Sequence, residues 1–200
     1  MGDQVGQVVE GTLYYLPYTE FQRVRVLRLP REQRVAIFAD MCRLNALYKI
    51  AYAGSGHIGS SFSSLDIISW LLMEEMNDDD IFFSSKGHDA PGYYAALIGM
   101  GKIDFDFIHK LRIIDGLPGH PDIGTPGIVT NTGSLGMGIS KAKGMVFANR
   151  LGKRSGRVFV MTGDGEVQEG QFWESLVSAV NYGLHEITVI IDHNKLQSDT

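Results

Sequence analysis

The feature that most constrains this 200-residue chain is a pair of short apolar runs on either side of a helical segment, near the carboxyl end. Residues 158–161 are wholly apolar and break at Thr162-Gly163-Asp164-Gly165, as a buried strand does when it ends in a tight turn. From Gln171 onward the apolar residues follow helical spacing, and residues 187–191, apolar except for Thr188, form a second run. This succession predicts a βαβ unit with parallel strands. The fold class is therefore α/β, with helices flanking a parallel sheet.

A carboxylate and an amide follow the two predicted strands. Asp164 comes after the first strand and Asn194 after the second, 30 positions later. Because parallel strands end at one edge of a sheet, where ligands bind in open α/β folds, we expect these side chains to lie together. Their oxygens suit Mg²⁺ that is completed by phosphate oxygens, and Gly163 and Gly165 allow a diphosphate to approach the backbone. A surface turn followed by an ordinary strand end is the alternative.

Composition and charge argue against several classes of protein. The net charge is −5 and no long basic run is present, so we expect no nucleic-acid partner. No apolar stretch is long enough to span a bilayer, and the first residues do not begin a signal peptide. The single cysteine, Cys42, cannot form an internal disulfide and lies in a helical pattern, which indicates a small core residue in a cytoplasmic protein.

The remaining pattern divides the chain into an arm and one domain. Residues 1–30 alternate apolar and polar groups, which predicts two short strands closed by Pro30, an added arm that we expect to form an oligomer contact. Residues 31–200 carry the domain. Helices are predicted over residues 31–53, 65–76, 91–101, 104–111 and 138–150, with a buried strand over 81–84.

The spacing from Gly163-Asp164-Gly165 to Asn194-Lys195 resembles the thiamin-diphosphate signature, and residues 163–170 are similar to transketolase in particular. Four further loops resemble transketolase loops in the same order. Their sequences are Ser55-Gly56-His57-Ile58-Gly59, Ser85-Lys86-Gly87-His88, Pro118-Gly119-His120-Pro121 and Thr132-Gly133-Ser134-Leu135-Gly136-Met137-Gly138. The departures are Ile58, where the family has proline, and Ser134 and Met137. The resemblance covers about four-fifths of the chain, residues 40–196, and implies the diphosphate-binding domain of the thiamin-diphosphate-binding fold.

The resemblance implies three catalytic residues. His57 and His120 match the substrate-side histidines of transketolase, which suits a reaction that needs proton donors and acceptors near neutral pH. Glu169 matches a glutamate near the subunit interface. It is at best half of a coupled acid pair, because its partner lies in the pyrimidine-binding domain.

The resemblance also assigns the cofactor and the metal. His88 matches the histidine that contacts the diphosphate, Gly133 the residue whose carbonyl meets the aminopyrimidine amine, and Leu135 the residue that props the bent cofactor. The implied cofactor-binding residues are His88, Gly133, Leu135, Asp164, Gly165 and Asn194. The implied ligands of Mg²⁺ (or Ca²⁺) are Asp164, Asn194 and Leu196.

Other polar residues are expected to be structural or solvated. His109, His185 and His193 are interpreted as surface histidines, and Glu166 as a solvated carboxylate. Lys86 is interpreted as either a surface charge or a phosphate contact, and Ser134 as a residue with a structural role only.

The implied function is a transferase reaction, the thiamin-diphosphate- and magnesium-dependent transfer of a two-carbon ketol unit between sugar phosphates. A complete transketolase also has pyrimidine-binding and C-terminal domains. We therefore expect either a natural N-terminal subunit of a split transketolase or a portion of a longer chain. Without a pyrimidine-domain partner, in a homo-oligomer or heterotetramer, it should have little activity.

Two alternatives remain. A deoxyxylulose-phosphate-synthase-like enzyme is one, although the loop at residues 132–138 fits transketolase better. The other is a degenerate, non-catalytic scaffold of the same fold. The presence of Asp164, Asn194 and the three loop histidines argues against degeneracy, because a scaffold needs none of them.

Overall fold

The computed structural model describes residues 11–195, and within them a parallel three-stranded sheet forms the centre of the fold. The strands are β1 (Ile81–Ser84), β2 (Val158–Gly163) and β3 (Ile187–Asp192), and β2 lies between the other two. Both strand pairs are parallel, which confirms the predicted βαβ unit and the α/β class.

Helices cover the sheet. They are α1 (Tyr18–Arg25), α2 (Arg31–Ala53), α3 (Ile58–Trp70), α4 (Ala90–Gly99), α5 (Gly138–Leu151) and α6 (Gly170–Asn181), with 3₁₀ turns at Phe105–His109 and Gly165–Gln168 and a π-helical turn at Leu71–Glu75. Among the helices between residues 11 and 195, none is long and apolar enough to cross a membrane.

The start of α3 differs from the sequence prediction. The helix begins at Ile58, whereas the pattern placed its start at Leu65 and took the preceding serines as a lead-in. The lead-in serines are Ser63 and Ser64, and Ser64 is satisfied within the helix because its hydroxyl donates to the carbonyl of Ser60 at 2.9 Å. Ser61, earlier in the helix, donates in the same way to the carbonyl of His57 at 2.9 Å. Serine side chains that bond the preceding turn can remain in a helix.

The prediction of two short strands is wrong for the described part of residues 1–30. Tyr18–Arg25 is helical, and Phe21 and Val24 belong to the main hydrophobic core. The spacing of three between them places both on one helical face, and it outweighs the alternation that suggested a strand. Residues 1–10 lie outside the described residues. The domain boundary and the oligomer contact stay predictions.

The core has one layer on each face of the sheet. Phe159 and Met161 of β2 face a cluster that includes α1, α2, α3 and α4, whereas Val158 and Val160 face a cluster with α5 and α6. A central strand that is buried on both faces is apolar throughout, which explains the continuous apolar run.

The register brings the functional loops to one edge. Ser84 is paired with Met161, and Gly163 is paired with Asp192. The segments after the three strands therefore leave the sheet at its carboxyl edge, where crevices form in open α/β folds.

Candidate active site

Asp164 lies where β2 ends and is joined to the segment that follows β3. Its Oδ1 atom accepts a hydrogen bond from the backbone N–H of Gly165 at 3.0 Å, and its Oδ2 atom accepts one from the N–H of Lys195 at 3.1 Å. The neighbouring Asn194 donates from Nδ2 to the Ser63 hydroxyl at 3.4 Å. The two loops predicted to meet at this edge are therefore in contact.

The available donors fit a hard cation that is shared with a ligand. Between residues 11 and 195, no three His, Cys, Asp or Glu side chains come together in a way that could hold a metal ion. A cation beside Asp164 would take one carboxylate from the protein and would need amide, carbonyl and phosphate oxygens to complete its shell, which is how Mg²⁺ is commonly bound. The third predicted ligand, Leu196, lies outside the described residues.

Three histidine loops converge on the same edge. The rings of His57 and His88 are 5.6 Å apart between centroids. A Cβ atom on Gly87 would lie 2.8 Å from Cδ2 of His120 and 2.7 Å from Cα of Gly133. Gly87 has a φ of +71°, so both its conformation and its surroundings exclude a side chain. The structure thus brings together the three histidines that the sequence singled out.

The electrostatics keep two of these imidazoles neutral. Burial lowers the pKa of His88 below its usual value, and burial with the neighbouring His57 and Arg112 lowers the pKa of His120. Nδ1 of His88 lies 2.9 Å from the carbonyl oxygen of Lys86. Since a carbonyl only accepts, Nδ1 carries the proton and Nε2 is left with its lone pair.

The loop at residues 132–138 lies beside the histidines and beside Glu169. A Cβ atom on Gly133 would be 3.3 Å from Cδ2 of His120, and one on Gly136 would be 2.8 Å from Cβ of Glu169. Leu135 is 42% exposed, which leaves a large apolar side chain on the surface at this loop. Glu169 is exposed as well.

Unpartnered polar atoms at this edge are consistent with a polar ligand. The hydroxyls of Ser60 and Thr132 and the Oδ1 atom of Asp89 are buried and lack a hydrogen-bond partner. Buried polar groups are normally satisfied, and Thr132 is adjacent to Gly133 in the chain and Asp89 to His88, so these atoms leave hydrogen-bonding capacity beside the loops of the site. Together with the single carboxylate of Asp164, these atoms fit a diphosphate-bearing cofactor and a divalent cation.

Glu166 is not a solvated carboxylate, so that prediction is wrong. The residue is 1% exposed. Its Oε1 atom accepts hydrogen bonds from the Ser85 hydroxyl at 2.5 Å and the Gly136 N–H at 3.0 Å, and Oε2 accepts one from the Gly163 N–H at 3.0 Å. Burial raises the pKa of Glu166, and these hydrogen bonds oppose the rise. The 3₁₀ turn that buries this side chain leaves no periodic signal in the sequence.

Lys86 is not a surface charge, and it belongs to a buried network that sequence reasoning missed. Its Nζ atom lies 2.5 Å from Oδ2 of Asp192 and 3.2 Å from the carbonyl of Ser60. Asp192 also accepts from the Ser63 hydroxyl at 2.6 Å. The sequence signal for this network was Asp192 at the end of a mostly apolar strand, because a buried carboxylate requires a partner.

The remaining histidines divide into two kinds. His185 and His193 are exposed, as predicted. His109 is half-buried, with Nδ1 2.7 Å from the Tyr48 hydroxyl and its ring packed against Tyr15 and Tyr48, so its prediction as a solvated residue is wrong.

Comparisons of this chain with known proteins all find transketolases. The family model described as "Transketolase, thiamine diphosphate binding domain" matches residues 35–200. The chain is 39% identical over 153 residues to an apulose-4-phosphate transketolase subunit from Actinobacillus succinogenes, covering 71% of this chain and 55% of that protein. It is 35% identical over 172 residues to the 6-deoxy-6-sulfo-D-fructose transketolase subunit SqwG of a Clostridium species, covering 80% and 62%.

A solved structure with a similar fold is the transketolase of Leishmania mexicana. Its TM-score is 0.71 at 30% identity, over 78% of this chain and 27% of that one. The chain thus spans little more than half the length of these two curated relatives, which are named as subunits, and about a quarter of the chain of the Leishmania transketolase.

Proposed function

The chain belongs to the transketolase family, and on that premise we propose that it supplies the diphosphate-binding half of an enzyme that transfers a two-carbon ketol unit between sugars. The observation that carries this proposal is the convergence of the Asp164 turn, the Asn194 segment and three histidine loops at one sheet edge. A scaffold of the same fold would have no need to keep that set together.

In this proposal the two ends of the cofactor are held by different loops. Asp164 and Asn194, with Leu196, would hold Mg²⁺, and His88 and Gly165 would contact the diphosphate. The loop at residues 132–138 would receive the aminopyrimidine end, with the carbonyl of Gly133 and the side chain of Leu135 as its contacts. When bound, thiamin diphosphate supplies the stabilised carbanion on which ketol transfer depends.

The chain's own residues would bind and orient the substrate and move protons. His57 lies against the His88 ring and His120 lies beside Gly87 and Gly133, and the lowered pKa of His120 favours its neutral form near pH 7, in which it would accept or return a proton. His88 presents Nε2 as an acceptor because its Nδ1 proton is directed at the carbonyl of Lys86. Glu169, exposed beside Gly136, is available to couple with an acid from another subunit.

A second chain completes the enzyme in this proposal. Two relatives are named as transketolase subunits, and the present chain covers only part of each. We therefore propose that the partner is a pyrimidine-domain subunit, in a homo-oligomer or heterotetramer. The names of these relatives specify a phosphorylated and a sulfonated sugar, which supports a sugar with a terminal anionic group as the substrate class.

The proposal is tested by reconstitution. The chain is combined with its pyrimidine-domain subunit, thiamin diphosphate and Mg²⁺, and ketol transfer is assayed with sugar phosphates. His120→Ala should lower kcat more than it lowers cofactor affinity, because the imidazole acts on the substrate. His185→Ala, which removes an exposed histidine, is the matched control. A turnover in His120→Ala equal to that of the control would remove His120 from the catalytic residues.

A further inference from the structure

One buried carboxylate joins three loops of the proposed site. Glu166 is 1% exposed and receives hydrogen bonds from Ser85, Gly136 and Gly163. Ser85 begins the loop that leads to His88, Gly136 belongs to the loop at residues 132–138, and Gly163 ends β2 immediately before Asp164. We infer that Glu166 is a positioning residue that fixes the distance between the loop at residues 132–138 and the turn at residues 163–165. The proposed function places these two segments at opposite ends of the cofactor. This inference rests on the proposed function.

The division of labour between the two carboxylate oxygens supports this role. Oε1 accepts from the Gly136 N–H at 3.0 Å, whereas Oε2 accepts from the Gly163 N–H at 3.0 Å. Each oxygen thus serves a different loop, and the rigid carboxylate sets the separation between the two backbone amides. The Ser85 hydroxyl adds a third contact to the carboxylate, to Oε1 at 2.5 Å, which connects the loop that carries His88 to the other two segments.

The chemistry requires a carboxylate and not an amide. Both backbone partners are N–H donors, and an ionised carboxylate accepts at both oxygens. A glutamine at this position would place its NH₂ group against one of the two N–H groups in either orientation. One loop would then be released while the shape and the burial of the side chain stay nearly the same. The three partners are neutral, so no ion pair competes with this explanation.

Glu166→Gln is therefore tested in the full chain together with its pyrimidine-domain subunit, with two probes. Inorganic diphosphate with Mg²⁺ reports on the diphosphate end, that is the metal turn and His88, whereas thiamin diphosphate with Mg²⁺ reports in addition on the loop at residues 132–138. We expect the ratio of thiamin-diphosphate affinity to inorganic-diphosphate affinity to fall by about tenfold, because only the longer ligand requires the loops to be aligned. Glu174→Gln, an exposed glutamate on α6, should leave the ratio unchanged.

A second readout needs no ligand. In Glu166→Gln, amide hydrogen exchange at Gly136 or at Gly163 should quicken by about tenfold, while protection in the core of β2 is retained. Uniform loss of protection would indicate a general structural role and would overturn the inference. If Glu166→Gln does not fold, Glu166→Asp serves instead, because it keeps the charge but is one methylene too short to reach both amides.

The outcomes separate the inference from the proposed function. If the parent complex binds neither probe, the cofactor assignment is wrong and the role of Glu166 falls with it. If the parent binds both and the variant loses equal affinity for the two, or for neither, the positioning role alone is overturned.

Discussion

Two lysines are buried among residues 11–195, one at the proposed site and one in the helical core, and their surroundings differ. Lys86 is 2% exposed and lies within hydrogen-bond distance of Asp192 and the carbonyl of Ser60. Lys49 is fully buried on α2, but its Nζ atom has no hydrogen-bond partner and lies 5.5 Å from the centroid of the Tyr94 ring.

The difference shows how a buried charge is accommodated. At the sheet edge, Lys86 forms an ion pair with Asp192, and the Ser63 hydroxyl also donates to Asp192, beside the loop that carries Asn194. In the core, burial lowers the pKa of Lys49 to about 7, which favours the neutral amine above that pH. The first arrangement needs a specific partner, whereas the second carries a cost in stability.

The largest effect is expected at the paired lysine. Lys86→Met leaves Asp192 buried without its cation, which should lower the free energy of unfolding by about 3–5 kcal/mol in urea titrations at pH 7. Lys102→Met, at an exposed position, is the control and should change it by less than about 0.5 kcal/mol. A loss at Lys86 no larger than that of the control would mean that the ion pair does not balance the burial of Asp192.

The unpaired lysine should behave in the opposite way. Lys49→Met removes a buried amine that has no partner and replaces it with an apolar side chain of similar length. We expect the free energy of unfolding at pH 7 to rise by about 2–4 kcal/mol, since each pKa unit corresponds to about 1.4 kcal/mol. If the variant is less stable than the parent, the Tyr94 contact outweighs the cost of burying the amine.

The pH dependence sharpens this prediction. Between pH 7 and pH 10.5 the unfolded chain holds the Lys49 proton while the folded chain has lost it, so the stability of the parent rises with pH in this window. The advantage of Lys49→Met should therefore be complete below pH 7 and should disappear as the pH approaches 10.5. Urea titrations of parent and variant across that range measure it. An advantage that does not change with pH would contradict the lowered pKa.

The smallest effect concerns two adjacent tyrosines on α4. The Tyr93 hydroxyl donates to the carbonyl of Phe82 at 3.2 Å, whereas the Tyr94 hydroxyl is buried without a partner. Tyr93→Phe should cost about 1 kcal/mol of unfolding free energy, because it leaves a buried carbonyl unsatisfied. Tyr94→Phe should cost nothing or stabilise slightly. Thermal unfolding of the two variants compares them, and equal losses would mean that Tyr94 has a partner in solution.

The sequence predicted those parts of the fold that depend on local pattern. The apolar runs at residues 158–161 and 187–191 correspond to strands with residues packed against both layers, and α2 follows its periodic face from Arg31 to its stop at Gly54. The helix α1 was missed because Val24 and Val26 alternate with arginines as in a strand, although Val26 is exposed and the core contacts come from Phe21 and Val24. Local pattern alone could not decide between them.

The site was predicted only in part, for a similar reason. Asp164 and Asn194 could be placed together because each directly follows a parallel strand. Glu166 and Lys86 could not, because their partners lie far away in the sequence: Ser85 is 81 positions from Glu166, and Asp192 is 106 positions from Lys86. Burial that depends on such distant partners has no periodic signature.

The most direct test of the account is a calorimetric titration of thiamin diphosphate, with and without Mg²⁺, into the chain alone and into its mixture with the pyrimidine-domain subunit. We expect binding that requires Mg²⁺, that is strong only in the mixture, and that is abolished by Asp164→Ala while the fold is retained. Binding of equal strength in Asp164→Ala would contradict the metal assignment. A folded mixture that binds no cofactor would contradict the proposed site as a whole.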